Sequence, residues 1–416
     1  RGQLFLRQHD YAHAIADFDR AIKLDANAAN YMARARARQD SGDFDGALAD
    51  YAEAARLDPK NIDSFIAQAA IWTMKDNFDE AIAAYDRAIA ADRNRAATYA
   101  LRAHAYAQKI DRKNALADVN RAIKLSPKAE FIALRGDLHL QDGDTVSAIK
   151  DADAVLKANS NNAAAYTLRG TAYARKKQYD RALADLDQAI RRNAKDASAY
   201  GERGKVYLAK ADNQHALPDL NRAVALGAAD AAIYRARATI YRAKGDADLA
   251  LADLNAALTR APDDSESLVA RAQIKQARGE TAAAMADFDA ALKRDPKNVV
   301  ALGARATALI NAKKFDQAIA DLDQLIQVDP GNAQAYYQRG FAYEQQGQRA
   351  KAVEDYNTAV TRDANATAAW QALARIAADE QKKQQANADQ KKQEEARQAA
   401  ERKHKLAEEQ KNQQAA

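Results

Sequence analysis

Residues 163–196 read AAAYTLRGTAYARKKQYDRALADLDQAIRRNAKD. Tyr166, Arg169, Gly170 and Tyr173 recur in short helical steps, and so do Tyr179, Ala182, Leu186 and Ala189. Each set marks one face of an amphipathic helix, and the two helices are separated by a break near Lys177. The stretch therefore predicts helix–turn–helix. Its second half contains the string A-[ILVM]-x-D, which begins again at Ala14, Ala47, Ala115, Ala148, Ala182, Ala250, Ala284, Ala318 and Ala352. Looser copies begin at Ala81 and Ala216. Successive alanines are 33 or 34 residues apart throughout, so the chain is a tandem array of eleven copies.

The same punctuation recurs outside the quoted copy. Gly42, Gly143, Gly245, Gly279 and Gly347 stand at the first break, where a left-handed residue ends a helix. Pro59, Pro127, Pro262, Pro296 and Pro330 stand at the second, where proline cannot continue the preceding helix. Pro218 is out of place, two residues into the string that begins at Ala216, and predicts a lost backbone bond and a bend. The copies span about 1–27, 28–61, 62–95, 96–128, 129–162, 163–196, 197–230, 231–264, 265–298, 299–332 and 333–366.

Composition agrees. Of 416 residues, 48% are hydrophobic, about a quarter of the chain is alanine, and aromatics make up only 7%. Alanine is the strongest helix former, and 15 Gly with 6 Pro are too few for the turns of a sandwich or barrel. The absence of cysteine excludes disulfides, thiolate catalysis and cysteine-ligated metals, while cytoplasm and periplasm both remain compatible. No apolar run approaches the roughly 18 residues of a membrane span. The 63 basic and 58 acidic residues leave a net charge of +5, which is no nucleic-acid footprint.

The period and its residues resemble the tetratricopeptide repeat (TPR) family over residues 1 to about 380. In the last copy the matching positions are Tyr336, Gly340, Tyr343, Ala352, Tyr356 and Ala359. The resemblance implies an all-α solenoid of about eleven helix-turn-helix repeats winding as an elongated right-handed superhelix. The plain, alanine-rich copies suggest a bacterial chain.

One departure from the family pattern is systematic. The family's leucine is replaced by Arg1, Arg34, Arg102, Arg135, Arg169, Arg203, Arg237, Arg271, Arg305 and Arg339. Three residues after the recurring alanine stand Asp17, Asp50, Asp118, Asp151, Asp185, Asp219, Asp253, Asp287, Asp321 and Asp355. The third copy lacks both, with Gln68 and Ala84. Joint presence and joint absence predict that arginine and aspartate pair across each hairpin, because a half-buried guanidinium needs a carboxylate. The alternative is a ladder of arginines open to anionic ligands.

At one end, Arg1-Gly2 matches Arg169-Gly170, so the opening turn of the first hairpin is expected to lie in a longer protein from which this chain has been cut. At the other, residues 367–380 read as a capping helix with Trp370, Leu373 and Ala374. Residues 381–416 read as a charged Gln/Lys/Glu/Ala tail, helical or disordered, and too poor in apolar residues for a self-contained coiled coil.

No phosphate loop, nucleophile elbow or metal-binding helix motif is present. His9 and His13 have helical spacing but straddle an expected turn, and His104, His139, His215 and His404 are scattered singly. Neither catalysis, nor cofactor, nor metal is expected. The resemblance instead implies a concave groove lined by first helices that binds a protein or peptide. Its positions here are Met32, Ile66, Thr73, His104, Ala133, Asp137, Thr167, Lys205, Arg235, Val269, Thr307, Ile310, Tyr337 and Phe341, the last two forming an apolar patch with Ile310. The family's clamp for C-terminal carboxylates cannot be assembled from them. The function expected is a non-catalytic interaction scaffold; the alternative is a regulatory or targeting arm of an enzyme whose catalytic domain precedes residue 1. RNA reading is disfavoured by the charge balance and the period.

Overall fold

Helix boundaries follow the sequence punctuation in a computed structural model that describes residues 1–228 and 230–414. The first four hairpins pair α1 (Gly2–Arg7) with α2 (Tyr11–Leu24), α3 (Ala28–Ser41) with α4 (Phe44–Leu57), α5 (Ile62–Met74) with α6 (Phe78–Ala91), and α7 (Ala96–Gln108) with α8 (Arg112–Leu125). Next come α9 (Ala129–Gln141) with α10 (Thr145–Ala158), α11 (Ala163–Arg175) with α12 (Tyr179–Arg192), and α13 (Ala197–Ala209) with α14 (Asn213–Ala225). The remaining pairs are α15 (Ala231–Lys244) with α16 (Ala247–Arg260), α17 (Ser265–Ala277) with α18 (Thr281–Arg294), α19 (Val299–Asn311) with α20 (Phe315–Val328), and α21 (Ala333–Gln345) with α22 (Arg349–Arg362). A single helix, α23 (Thr367–Gln414), follows without interruption. Among the described residues all regular structure is helical. The helices fall into two units, Arg1–Ala229 and Asp230–Ala416.

Local chemistry explains each boundary. Asp10, Asp43, Asp111, Asp144 and Asp212 precede second helices, and each side chain accepts from the backbone N–H three residues on. Asn61, Asn162, Asp196, Asn298 and Asn332 do the same for first helices. All eleven turns inside hairpins use one left-handed residue: glycine in five, and His9, Asp76, Ile110, Lys177, Ala211 and Lys313 in the others. The amide that follows donates back to the helix, as Gln178 N does to Tyr173 O at 2.9 Å.

Within each unit the core is a stack of small contacts. The recurring alanine of every second helix, from Ala14 to Ala352, is fully buried. Opposite it the first helices carry glycine or alanine, which lets the pair close. At Gly170 a Cβ would lie 2.8 Å from Leu186 Cγ and 3.2 Å from the Ala182 carbonyl, so the leucine packs directly on bare backbone. First helices also touch the next first helix, α7 to α9, α9 to α11 and α11 to α13 in one unit, and α17 to α19 and α19 to α21 in the other. Among the described residues no two second helices pack as closely as these, so the first-helix face is the inner face of each unit. The start of α23 closes the array: Ala369, Ala372 and Ile376 are buried against Tyr356 and Ala359.

Pro218 lies inside α14, which starts at Asn213 in register with its sister helices. Residue 218 therefore offers no N–H to the carbonyl of Gln214, and the helix carries the defect rather than avoiding it. Pro218→Ala is expected to raise the stability of this hairpin by about 1–3 kcal/mol. Hydrogen exchange checks it: residues 212–218 should open more readily than the equivalent 178–184, and the substitution should remove the difference.

Candidate functional site

The ten ladder arginines are the most conspicuous candidate for anion binding, and their geometry assigns them to the scaffold. Arg203 Nε and Nη2 each donate to one oxygen of Asp219 at 2.7 Å, a two-pronged contact across the hairpin. The same fork joins Arg34 to Asp50, Arg102 to Asp118, Arg135 to Asp151, Arg169 to Asp185, Arg237 to Asp253, Arg271 to Asp287, Arg305 to Asp321 and Arg339 to Asp355. Arg1 reaches Asp17 with one prong at 3.1 Å. From Asp50 to Asp355 these carboxylates are buried, between 3% and 7% exposed. The hydrogen bonds that it donates to Asp219 and Asp187 hold the Arg203 guanidinium above its usual pKa, so its charge is permanent. At Asp287, burial pushes the pKa up but hydrogen bonds from Arg271 and Lys275 outweigh it, leaving a net lowering. In three copies tyrosines three before and four after the arginine flank it: Tyr99 and Tyr106 at Arg102, Tyr234 and Tyr241 at Arg237, and Tyr336 and Tyr343 at Arg339.

A second contact was not foreseen from the sequence. The remaining prong, Nη1, reaches back to the preceding repeat: Arg34 to Asp19, Arg102 to Asp86, Arg135 to Asn120, Arg169 to Asp153, Arg203 to Asp187, Arg271 to Asn255, Arg305 to Asp289 and Arg339 to Asp323. Each of these guanidinium groups thus ties three helices together. The signal was present as Asp or Asn two residues beyond the ladder aspartate position, found in every copy but the second, which has Ala52. Ala52 stands where it would face Gln68, whose other partner position is Ala84. Arginine and both of its acceptors are therefore absent together, and the Gln68 side-chain nitrogen is buried without a partner.

The groove positions inferred from the family separate by depth. Thr167 and Val269 are buried; Thr167 donates to Asp196 at 2.9 Å, and Val269 joins a core cluster on which Ile310 also packs. Met32 and Ile66 are half-buried against cores of their own repeats. Lys205 pairs with Glu202 at 2.6 Å, and Arg235 with Asp264 and Glu266. Tyr337 stacks at 5.8 Å on Tyr356 beside the first turns of α23, with Phe341 half-buried one turn along α21. His104 is exposed, and on the next first helix Asp137 shares its register; both line a recess of 460 Å³ in the inner face of the first unit. Crowding by protein atoms pushes the Asp137 carboxyl up to about 6, although it stays open to solvent.

His9 occupies a left-handed turn position, and the His13 ring is bonded to the helix-capping Asp10 at 2.8 Å, so the two do not converge. The side chain of His404 lies outside the described residues. Among the described residues no three His, Asp or Glu side chains cluster as metal ligands, and no helix is long and apolar enough to cross a membrane.

Models of the tetratricopeptide repeat match residues 1–62, 38–105, 96–128, 133–198, 167–233, 202–265, 235–299, 269–333 and 304–377. No curated protein matches the sequence. Among solved structures, a chain in the crystal structure of the APC/C hetero-tetramer Cut9-Hcn1 is similar, with 13% identity, a TM-score of 0.54, and coverage of 90% of this chain and 94% of that one. A second similar structure, from the functional characterisation of Pseudomonas aeruginosa PilF, has 16% identity and a TM-score of 0.47 over 51% of this chain and 97% of that one. At 13% identity the first likeness is one of fold.

The exception at Gln68 generates a test of the three-way tie. Gln68→Arg alone should destabilise the chain, by at most about 3–5 kcal/mol, because it buries a charge without acceptors. Adding Ala84→Asp and Ala52→Asp should bring stability back to within about 1 kcal/mol of the parent in denaturant unfolding. A triple variant no better than the single one would refute the tie.

Proposed function

The chain belongs to the tetratricopeptide repeat family, and from that premise we propose that it is a non-catalytic scaffold that binds a protein or peptide along the inner, first-helix faces of its units. The family supports an interaction role in general terms. The observation that carries the specific reading is a contrast between neighbouring positions. The ladder arginine is present in ten copies of eleven, and the residue after it is always Gly or Ala. One position further on, the copies read Gln3, Arg36, Ala70, His104, Asp137, Thr171, Lys205, Thr239, Gln273, Thr307 and Phe341. The fold demands the first two, while the third varies and, apart from the buried Thr171, reaches solvent. A row that varies in charge and size while its neighbours repeat has the character of a recognition surface.

The same contrast argues against anion binding by the ladder. Its arginines spend their donors on buried carboxylates, so a ligand would have to displace contacts that hold hairpins together.

Site-specific photo-crosslinking tests the reading. Peptides selected from a random display library against the full chain should crosslink to a photoreactive residue placed at His104 or Thr239. They should not crosslink to one at Lys150 or Ala290, which are exposed on second helices. Selection of no peptide at all, or adducts confined to the second helices, would overturn the proposal.

A further inference from the structure

Two residues in the first unit depart from what folding alone would select, and they line the same recess. Ile110 holds the left-handed turn between α7 and α8 at φ 65° and is 75% exposed. It is the one β-branched residue among the eleven such turns, five of which use glycine. A β-branched side chain is strained there, and an exposed isoleucine gains little burial in return. Asp137, on α9, has neither a hydrogen-bond nor an ion-pair partner among the described residues, and crowding raises its carboxyl pKa although the side chain reaches solvent. Departures from folding rules concentrate at functional sites, and two in one cavity are a stronger pointer than either alone.

The charges around the recess are unequally committed. Arg112 Nη1 donates to the Ala107 carbonyl at 2.9 Å, and its Nε lies 3.5 Å from Asp142. Arg175 donates to the Leu140 carbonyl. Both cations are thus turned to the carbonyl-rich C-terminal ends of α7 and α9, where positive charge is favoured. The Asp137 carboxylate shares the recess with the exposed His104 and the aliphatic wall of Leu134 and Leu138, and makes no ion pair among the described residues. A volume of 460 Å³ suits one long side chain and its neighbour.

We propose that this recess is a specificity subsite for a partner segment carrying an arginine or lysine next to an aliphatic residue, the cation pairing with Asp137 and the aliphatic side chain covering Ile110 and Leu134. This rests on the inner-face scaffold reading and adds the chemistry of one subsite to it. Binding would neutralise the stranded carboxylate and shelter the exposed isoleucine, so both local costs are relieved in the complex. The geometry also gives the segment a direction, because Ile110 lies at the turn edge and Asp137 one turn inside it.

The test uses the full chain and the peptides obtained by display selection. Arginine or lysine flanked by an aliphatic residue should be enriched among peptides that crosslink at position 104. Their affinity should fall about tenfold or more in Asp137→Asn, the loss of a desolvated charge pair. Asp137→Lys should bind the same peptides only after their basic residue is changed to glutamate. A second readout is independent of any ligand. Because the folded carboxyl is raised, the cost of Asp137 is present at about pH 7 and disappears as pH falls below its unfolded value, so Asp137→Asn should stabilise the chain at about pH 7 and not at about pH 4. Peptides that crosslink on the inner face without basic enrichment, or bind Asp137→Asn unchanged, would overturn the subsite and leave the scaffold reading standing. Failure to select any inner-face peptide would overturn both.

Discussion

A guanidinium group has three edges that can donate, and this protein uses them to join three helices at a time. Two prongs close a hairpin through a buried aspartate, and the third fastens that hairpin to the one before it. The planar fork matters: a lysine could satisfy one carboxylate but could not hold both in fixed orientation. Because each carboxylate is buried, removing the arginine strands a charge, and because the arginine is itself mostly buried, with Arg203 20% exposed, it depends on those acceptors in turn.

Other features of the array accommodate that tie. For the fork to reach, paired helices must approach closely, which the Gly or Ala beside each arginine and the buried alanine opposite permit. For the copies to stay in register, each hairpin must reverse in the same way, which the left-handed turn residue ensures even where it is not glycine. Strain at these turns is tolerated because caps and the hairpin contact over-determine the geometry. With the arginines, small residues and turns all fixed by packing, variation is pushed onto the solvent-facing positions of the inner, first-helix face. That surface is where a partner of particular chemistry can be selected without disturbing the fold.

Much of this was legible in the chain itself. Eleven phased copies, the hairpin breaks and the Arg–Asp pairing all follow from spacing, since a period read at one residue type constrains every other. The inter-repeat contact is harder to see although Asp19, Asp86 and their equivalents carry it, because one buried carboxylate already satisfies the arginine's charge and the third prong has no separate signal. Depth was harder to read: a family position identifies a helix face, but whether Thr167 or Val269 reaches solvent depends on how far the next repeat leans over it. The recess at His104 and Asp137 was invisible for a related reason. Its shape comes from three first helices together, and Ile110 gives no sign of strain until its φ is known. The uninterrupted α23 follows from alanine, glutamine, lysine and glutamate, all good helix formers, beyond the last apolar contact at Ile376.

The central claim is that the arginine ladder is scaffold. A double-mutant cycle on Arg203 and Asp219, read by denaturant unfolding alongside binding of the selected peptides, tests it most directly. Arg203→Leu and Asp219→Ala made singly should together cost more than the double variant that carries both, giving a coupling energy of about 1–3 kcal/mol, with peptide affinity unchanged in every variant that folds. A coupling near zero together with loss of peptide binding in Arg203→Ala would contradict the account and return the arginines to the binding site.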